Sequence, residues 1–227
     1  MIIIGLLVGG VLKGQELIAN GKVTATAAQI KAIEGAGLTF RDIYRAMPGD
    51  IANPGASLPN CTAQAGCNGI GNANGILDGT NLQDIPEDEQ KRFFIHLSAA
   101  GLFSGVDATD NEAVWGAYYP KAALNGGFTA GWSIAGTGMV DSVNATAAPS
   151  GLYLSLKSVP DNSNGDGITP LQAARLDGKL DDGLPGAGGI RAFGGYGQCA
   201  TAYDVPTAQY LETETVRSCG LYINIQK

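Results

Sequence analysis

The chain opens with Met1-Ile2-Ile3-Ile4-Gly5-Leu6-Leu7-Val8-Gly9-Gly10-Val11-Leu12, and its first charged residue is Lys13. Apolar or small residues then recur in steps of three and four, at Val23, Ala27, Ile30, Ile33, Gly37, Phe40 and Tyr44. These steps are the period of one face of an α-helix. No proline occurs before Pro48. We therefore predict a single helix of about 45 residues, which at the α-helical rise would be about 67 Å long.

The two halves of this helix differ in character. Residues 1–12 are apolar on all sides, whereas the second half has one apolar stripe. A helix that is apolar all round belongs in a membrane or a protein bundle, and a single stripe packs on one face of a globular domain. We predict that residues 1–23 protrude as an apolar segment. Residues 24–227 would form a globular head that includes the second half of the helix.

The composition bounds the class of protein. The chain has 227 residues, of which 34 are glycine; charged residues make up 15%, and the net charge is −7 with a pI near 4.6. This length suffices for one domain with a real core, or for a domain plus an appendage. An acidic chain with few basic residues has no electrostatic footprint for nucleic acid or anionic lipid. We expect a secreted, loop-rich protein that contains β-structure.

Four cysteines indicate disulfides rather than a metal site. They are Cys61, Cys67, Cys199 and Cys219, there is no CxxC motif, and His96 is the only histidine, so zinc is not expected. Three pairings are open, and proximity in the chain favours Cys61–Cys67 and Cys199–Cys219. Disulfides imply an oxidising compartment, the periplasm or the cell exterior.

The remaining helices are predicted from turn and capping signals. The first helix should end at Met47-Pro48-Gly49-Asp50, and a loop rich in Gly and Asn follows over residues 51–84. A second helix is predicted from Pro86 to about Leu102, with Asp84 as a plausible cap. His96 lies off the apolar face of that helix, so we interpret it as a surface or partly covered residue.

The last part of the chain has the alternation of β-strands. Strands are predicted near residues 128–134, 139–143, 152–156 and 221–225. Between the third and fourth of these, Thr169, Pro170 and Gln172 predict a capped helix that runs to about Asp181. A glycine-rich loop would follow this helix. The predicted class is α+β, a long N-terminal helix with a C-terminal antiparallel sheet.

Several motifs resemble those of one protein family. They are Ile3–Ile18, Met47-Pro48-Gly49-Asp50, Phe94-Ile95-His96-Leu97-Ser98-Ala99-Ala100-Gly101-Leu102 and Leu176-Asp177-Gly178-Lys179-Leu180-Asp181-Asp182-Gly183-Leu184-Pro185. These resemble type IV pilin-like and pseudopilin proteins of bacteria. The resemblance implies that the long helix packs in a filament core and that a β-sheet head rests on its second half. The residues it implies in core packing are Ile4, Leu6, Leu7, Val8, Val11 and Leu12.

The resemblance has one departure. Members of that family begin, after leader removal, with a short stretch that contains a near-invariant acidic residue, and no such stretch precedes Met1. We expect about nine further apolar residues upstream, which would bring the apolar segment to roughly 21 residues, the length of a bilayer span.

Two loops and one acidic pair are candidate ion sites. Asp161, Ser163, Asn164 and Asp166 offer oxygen ligands of the kind that calcium takes, although the spacing fits an EF-hand poorly. The alternative interpretation is an Asx-rich turn before Thr169. The stretch Asn72–Asp78 is a weaker version. Asp181 and Asp182, at a helix end, would meet a cation, a neighbouring subunit's Lys or Arg, or solvent alone.

The functional hypothesis is a structural subunit of a type IV pilus or pseudopilus-like filament. Identical subunits would wait in the inner membrane, and the assembly machinery of a pilus or secretion system would then pack their helices together outside it, in the periplasm or beyond. No cofactor is expected, apart from the calcium considered above, and no grouping of residues supports catalysis. The alternative hypothesis is a secreted, helix-anchored calcium-dependent adhesin or carbohydrate-binding module.

Overall fold

The computed structural model describes residues 2–61, 66–79, 82, 86, 88–107, 114–134, 148–160, 167–194, 197–203 and 205–226, with side chains from Gly9 onward except at position 88. Its helices are α1 (Ile2–Tyr44), α2 (Pro54–Ser57), α3 (Asp88–Ala99) and α4 (Pro170–Leu180). Its strands are β1 (Gly127–Ser133), β2 (Gly151–Lys157), β3 (Ile190–Gly194) and β4 (Cys219–Asn224). The architecture is the α+β arrangement predicted from the sequence.

Helix α1 has the length and the buried stripe that the sequence predicts. Val23, Ile30 and Phe40 are buried against the head, as are the other stripe positions up to Phe40. The helix ends at Tyr44, and Arg45 follows with a positive φ of 55°. Pro48 then prevents the helix from continuing. Because the stripe repeats at the helical period, one face of a single straight helix can cover the head.

Among the described residues, the sheet has four antiparallel strands in the order β1-β2-β4-β3. Strand β2 lies inside it and pairs Phe128 with Leu156 on one side and Leu154 with Ile223 on the other. Every residue of β2 is buried. Burial at every position of an inner strand means that both faces of the sheet are covered. The core of the head therefore contains the sheet as its middle layer.

Helix α4 begins as its sequence predicts. The Thr169 hydroxyl accepts a hydrogen bond from the Gln172 backbone N–H at 3.3 Å, and the Gln172 side chain accepts one from the Thr169 N–H at 3.1 Å. This reciprocal pair satisfies two N–H groups that a helix start otherwise leaves without partners.

Four predictions about local structure need correction or lie outside the described residues. Strand β3 falls within the stretch predicted as a glycine-rich loop. It is only five residues long and is bounded by glycines, so the sequence shows little of the alternation typical of a strand. Its strand conformation depends on pairing with β4. Helix α3 ends at Ala99 rather than at Leu102. The strand predicted at residues 139–143 and the cap predicted at Asp84 lie outside the described residues.

Both favoured disulfides are present. Cys61 pairs with Cys67 at a Cα–Cα distance of 5.3 Å, and Cys199 pairs with Cys219 at 5.1 Å. Cys219 is the first residue of β4, so its bridge ties the loop after β3 to an inner strand of the sheet. Closing that loop stabilises the head by about 3 kcal/mol in the chain-entropy treatment.

Candidate functional site

Residues 9–22 form the exposed half of α1, and most of their side chains are open to solvent. Its exposed large side chains are Val11 (59%), Leu12 (62%), Leu17 (70%) and Ile18 (63%). Among the side chains described, Val23 is the first on the helix to be buried. The predicted packing residues Ile4, Leu6, Leu7 and Val8 lie on the same helix, at positions whose side chains are outside the description. Within the described residues, no helix combines the length and the hydropathy required to cross a membrane.

A polar contact marks where this exposed half meets the head. Arg175 on α4 donates a hydrogen bond from Nη1 to the Asn20 side-chain oxygen at 2.6 Å. Further towards the N-terminus, Lys13 and Glu16 form an ion pair at 2.7 Å. The hydrogen bond from Lys13, together with its charge, lowers the pKa of the Glu16 carboxyl. Residues 9–19 therefore extend past the last side-chain contact that the structure gives between α1 and the head.

Two buried carboxylates, Asp50 and Glu89, organise the described part of the Asn/Gly loop. Asp50 accepts backbone N–H groups from Ala73 and Gly75 at 2.5 and 2.7 Å. Glu89, on α3, accepts N–H groups from Asn72 and Asp78, both at 2.9 Å. Each of these four carboxylate oxygens therefore already has a hydrogen-bond donor. The sequence pointed to Asn72–Asp78 as a weak ion site, and the structure gives these residues a structural role.

The environment of Glu89 makes its charge costly. Burial raises the pKa of this carboxyl, and the negative charges of Asp50 and Asp78 act in the same direction. The N–H groups of Asn72 and Asp78 oppose this pKa shift because they stabilise the ionised form. The backbone of the loop therefore supplies hydrogen-bond donors that stabilise the ionised form of Glu89 on α3.

His96 is fully buried, which corrects the prediction of a surface or partly covered residue. Its Nδ1 accepts the Gly49 N–H at 2.8 Å, so the ring proton is on Nε2, which lies 3.1 Å from the Cys67 carbonyl oxygen and donates to it. Desolvation lowers the pKa of the imidazole to about 4. The prediction failed because it considered only the apolar face of α3, whereas residues 47–51 and 67–78 cover a second face.

Gly49 is required for this contact. Its φ is +97°, and a Cβ at this position would collide with the Glu89 carbonyl oxygen and with Leu77. Glycine alone adopts this conformation at low cost and lets the loop approach α3 this closely. The Met47-Pro48-Gly49-Asp50 motif thus ends α1, places an N–H on His96 and supplies the buried Asp50.

A second acidic cluster surrounds the end of α4. Asp177 is fully buried and accepts hydrogen bonds from the Tyr210 hydroxyl at 2.8 Å and from the Gly183 N–H at 3.2 Å. Asp181 accepts the N–H groups of Gly189 and Ile190. Carboxylate oxygens of Asp177, Asp181 and Asp182 lie within 4.8 Å of one another. Backbone N–H groups of the turn after α4 therefore donate to the carboxylates of Asp177 and Asp181. Of the three aspartates in the cluster, only Asp182 is exposed.

Burial shifts the titration of Asp177 strongly. Desolvation raises the pKa of its carboxyl to about 7, and the charges of Asp182 and Asp181 add to the effect, although the Tyr210 hydroxyl and the Gly183 N–H oppose it. The sequence points to the adjacent pair Asp181-Asp182 as a candidate ion site but not to Asp177. Its position on α4, one residue after the buried Leu176, was the available signal.

The predicted calcium ligands Asp161, Ser163, Asn164 and Asp166 lie outside the described residues. The structure starts again at Gly167, whose carbonyl oxygen accepts a hydrogen bond from the Asn125 side chain at 2.9 Å. The end of that loop is therefore held next to β1 and α4.

The fold and the site define an α+β protein whose long N-terminal helix packs on a head from Val23 onward and is mostly exposed over residues 9–22. No protein-family model matches the chain, and no curated protein matches it. Among solved structures, the chain is similar to the major type IV pilin PilA1 from Clostridium difficile, with 13% identity over 92% of this chain and 98% of that one, and a TM-score of 0.37.

Proposed function

We propose that the chain is a structural subunit of an extracellular type IV pilus or pseudopilus-like filament. The observation that carries this proposal is the half-exposed helix α1, which buries its second half on the head and leaves four large apolar side chains without a partner. Burial of each such side chain contributes about 1.5 to 3 kcal/mol. Lateral packing of helices from many subunits would bury them together.

The exposed half of α1 and the head are different surfaces, so a contact between them on two copies is heterologous. Such a contact builds an open helical filament when the rotation between neighbouring copies does not close a ring. The two disulfides agree with a periplasmic or extracellular location. Before assembly, the same apolar segment would hold the subunit in the inner membrane, from which the assembly machinery of a pilus or secretion system would extract it.

The proposal predicts that Leu17→Asp abolishes filaments while the head stays folded. A carboxylate at this position would have to enter a dry helix bundle, which is costly without a partner. In the single subunit Leu17 is 70% exposed, so the head does not depend on it. Electron microscopy of sheared surface material measures filaments, and thermal unfolding measures the head. The same loss is expected for Leu7→Asp.

Val216→Asp is the matched control for this experiment. Val216 is 61% exposed but lies on the head, in the segment before β4. The same change of side chain there should leave both filaments and head stability near the wild-type values. Normal filaments from Leu17→Asp would contradict the proposed function.

Calcium binding at Asp161, Ser163, Asn164 and Asp166 remains a separate proposal, and the calcium-dependent adhesin hypothesis depends on it. An ion that binds only the folded head would raise its melting temperature with the logarithm of the calcium concentration once the site is filled. We expect Asp166→Ala to remove this rise and chelator to reverse it in the wild type. A midpoint that is the same in calcium and in chelator would leave the stretch as an Asx turn.

A further inference from the structure

A groove of about 520 Å³ lies beside α1 on the head. Helix α1 forms one wall, the turn after α3 forms the opposite wall, and residues 116–121 and the start of β1 close the remaining side. Its apolar lining includes Ile33, Leu102, Phe103 and Phe128. Lys121 also lines it and is exposed. The groove therefore offers apolar walls and one cation.

Lys121 is held in a fixed position relative to α1. Its carbonyl oxygen accepts a hydrogen bond from the Gln29 side chain at 3.1 Å, and the same side chain accepts the Ala123 N–H at 2.9 Å. One residue further on, the Leu124 N–H donates to the Thr26 hydroxyl at 3.0 Å. Three hydrogen bonds thus lock residues 121–124 to α1. Within the described part of the chain, Lys121 forms no ion pair.

The exposed half of α1 has the complementary pair of groups. Over residues 9–22, Glu16 is the only acidic residue, and Leu12 lies four positions before it. Residues four apart lie on the same face of a helix, one turn from each other. Leu12 is 62% exposed. This face therefore presents one large apolar side chain and one carboxylate, and the carboxylate is paired with Lys13 on the same face. The apolar side chain matches the apolar walls of the groove, and the carboxylate matches its lysine.

We propose that the groove receives residues 12–17 of helix α1 from a second copy of the chain, with Leu12 against the apolar walls and Glu16 paired with Lys121. This inference rests on the proposed function and names the contact between subunits that the filament would use. In the single subunit Glu16 pairs with Lys13, at an exposed site. Exposed ion pairs contribute little to stability, so Glu16 can exchange Lys13 for Lys121 at small cost.

A charge exchange tests the contact in cells that express the full chain. Glu16→Lys and Lys121→Glu should each reduce filament yield at least about tenfold, because like charges that face each other across an interface cost more than the 1.4 kcal/mol equivalent to that factor. The double variant, with both substitutions, should restore the yield. The control combines Glu16→Lys with Lys31→Glu, which has the same net charge as the double variant and should not restore it.

A zero-length carbodiimide cross-link supplies a second measurement. An amide between the Glu16 carboxylate and the Lys121 amine should appear in peptides from assembled filaments and be absent from dispersed subunits. Mixing isotopically labelled and unlabelled subunits would show that the link joins two copies.

The outcomes separate this inference from the proposed function. Wild-type cells without filaments would overturn the proposed function. Wild-type filaments together with a double variant that is not restored and no Glu16–Lys121 cross-link would overturn the groove contact and leave the filament proposal in place. Restoration together with the cross-link would support the contact.

Discussion

When the pH falls from 6.5 to 4, the wild type should lose about 3 kcal/mol more of its free energy of unfolding than the His96→Gln variant loses. The pKa of His96 is about 4 in the folded head, because burial desolvates the ring. In the unfolded chain the ring has its ordinary pKa of 6.5. Between these values the unfolded chain binds a proton that the native state does not. Stability contributed by the neutral ring is therefore present above pH 6.5 and is lost as the pH falls towards 4.

The structural consequence of protonation is specific. A proton on Nδ1 removes the acceptor of the Gly49 N–H, while Nε2 continues to donate to the Cys67 carbonyl oxygen. Arg92 is the charged group that acts on the ring, and its positive charge also lowers the pKa of His96. Acid should thus release the loop at Gly49, next to the end of α1, before it affects the disulfide-bonded part near Cys67.

Denaturant unfolding at a series of pH values measures this effect. The quantity of interest is the difference in the free energy of unfolding between the wild type and His96→Gln. We expect the variant to be less stable at pH 7, since a glutamine side chain cannot make both ring hydrogen bonds, and the two curves to converge towards pH 4. A difference that does not change with pH would show that His96 remains neutral in both states or ionised in both.

Asp177→Asn should have the opposite effect and stabilise the head at neutral and higher pH. Burial raises the pKa of Asp177 to about 7 from an ordinary 3.8. Between these values the native state binds a proton that the unfolded chain does not, so stability falls as the pH rises from 4 to 7. The free energy of unfolding that the wild type loses through Asp177 over this pH range is about 4 kcal/mol. Removing the ionisable group removes this loss.

The amide can keep the local hydrogen bonds. Its oxygen can still accept the Gly183 N–H, and its NH₂ group can donate to the Tyr210 hydroxyl oxygen, which in the wild type donates to Asp177. Asp42→Asn makes the same chemical change on an exposed part of α1 and controls for the loss of one negative charge. If Asp177→Asn were less stable than the wild type at pH 8 by the same amount as at pH 4, the carboxyl would not be neutral in the native head.

The two buried groups oppose each other in the same pH range. His96 makes acidification destabilising between pH 6.5 and 4, and Asp177 makes it stabilising between pH 7 and 4. Glu89, whose pKa is also raised, acts in the same direction as Asp177. We therefore expect the wild-type profile to be flatter than that of either variant.

The sequence alone determined those features that depend on local periodicity and end signals. The stripe from Val23 to Phe40 predicted α1, Thr169 and Gln172 predicted the start of α4, and the alternation in residues 128–134 and 152–156 predicted β1 and β2. Such signals involve residues a few positions apart, and their physics does not require knowledge of the rest of the chain. The same locality allowed the two disulfide pairs to be favoured.

Tertiary structure alone decided the state of the buried polar groups and the assignment of β3. His96, Asp177, Asp50 and Glu89 are ordinary exposed-type residues in sequence, and each is buried because a distant segment covers it and supplies its hydrogen-bond partners. Strand β3 likewise exists because β4 pairs with it. The groove at Lys121 arises where α1 meets a segment some ninety positions later in the chain. Burial and pairing across such separations depend on the path of the whole chain, which local patterns do not contain.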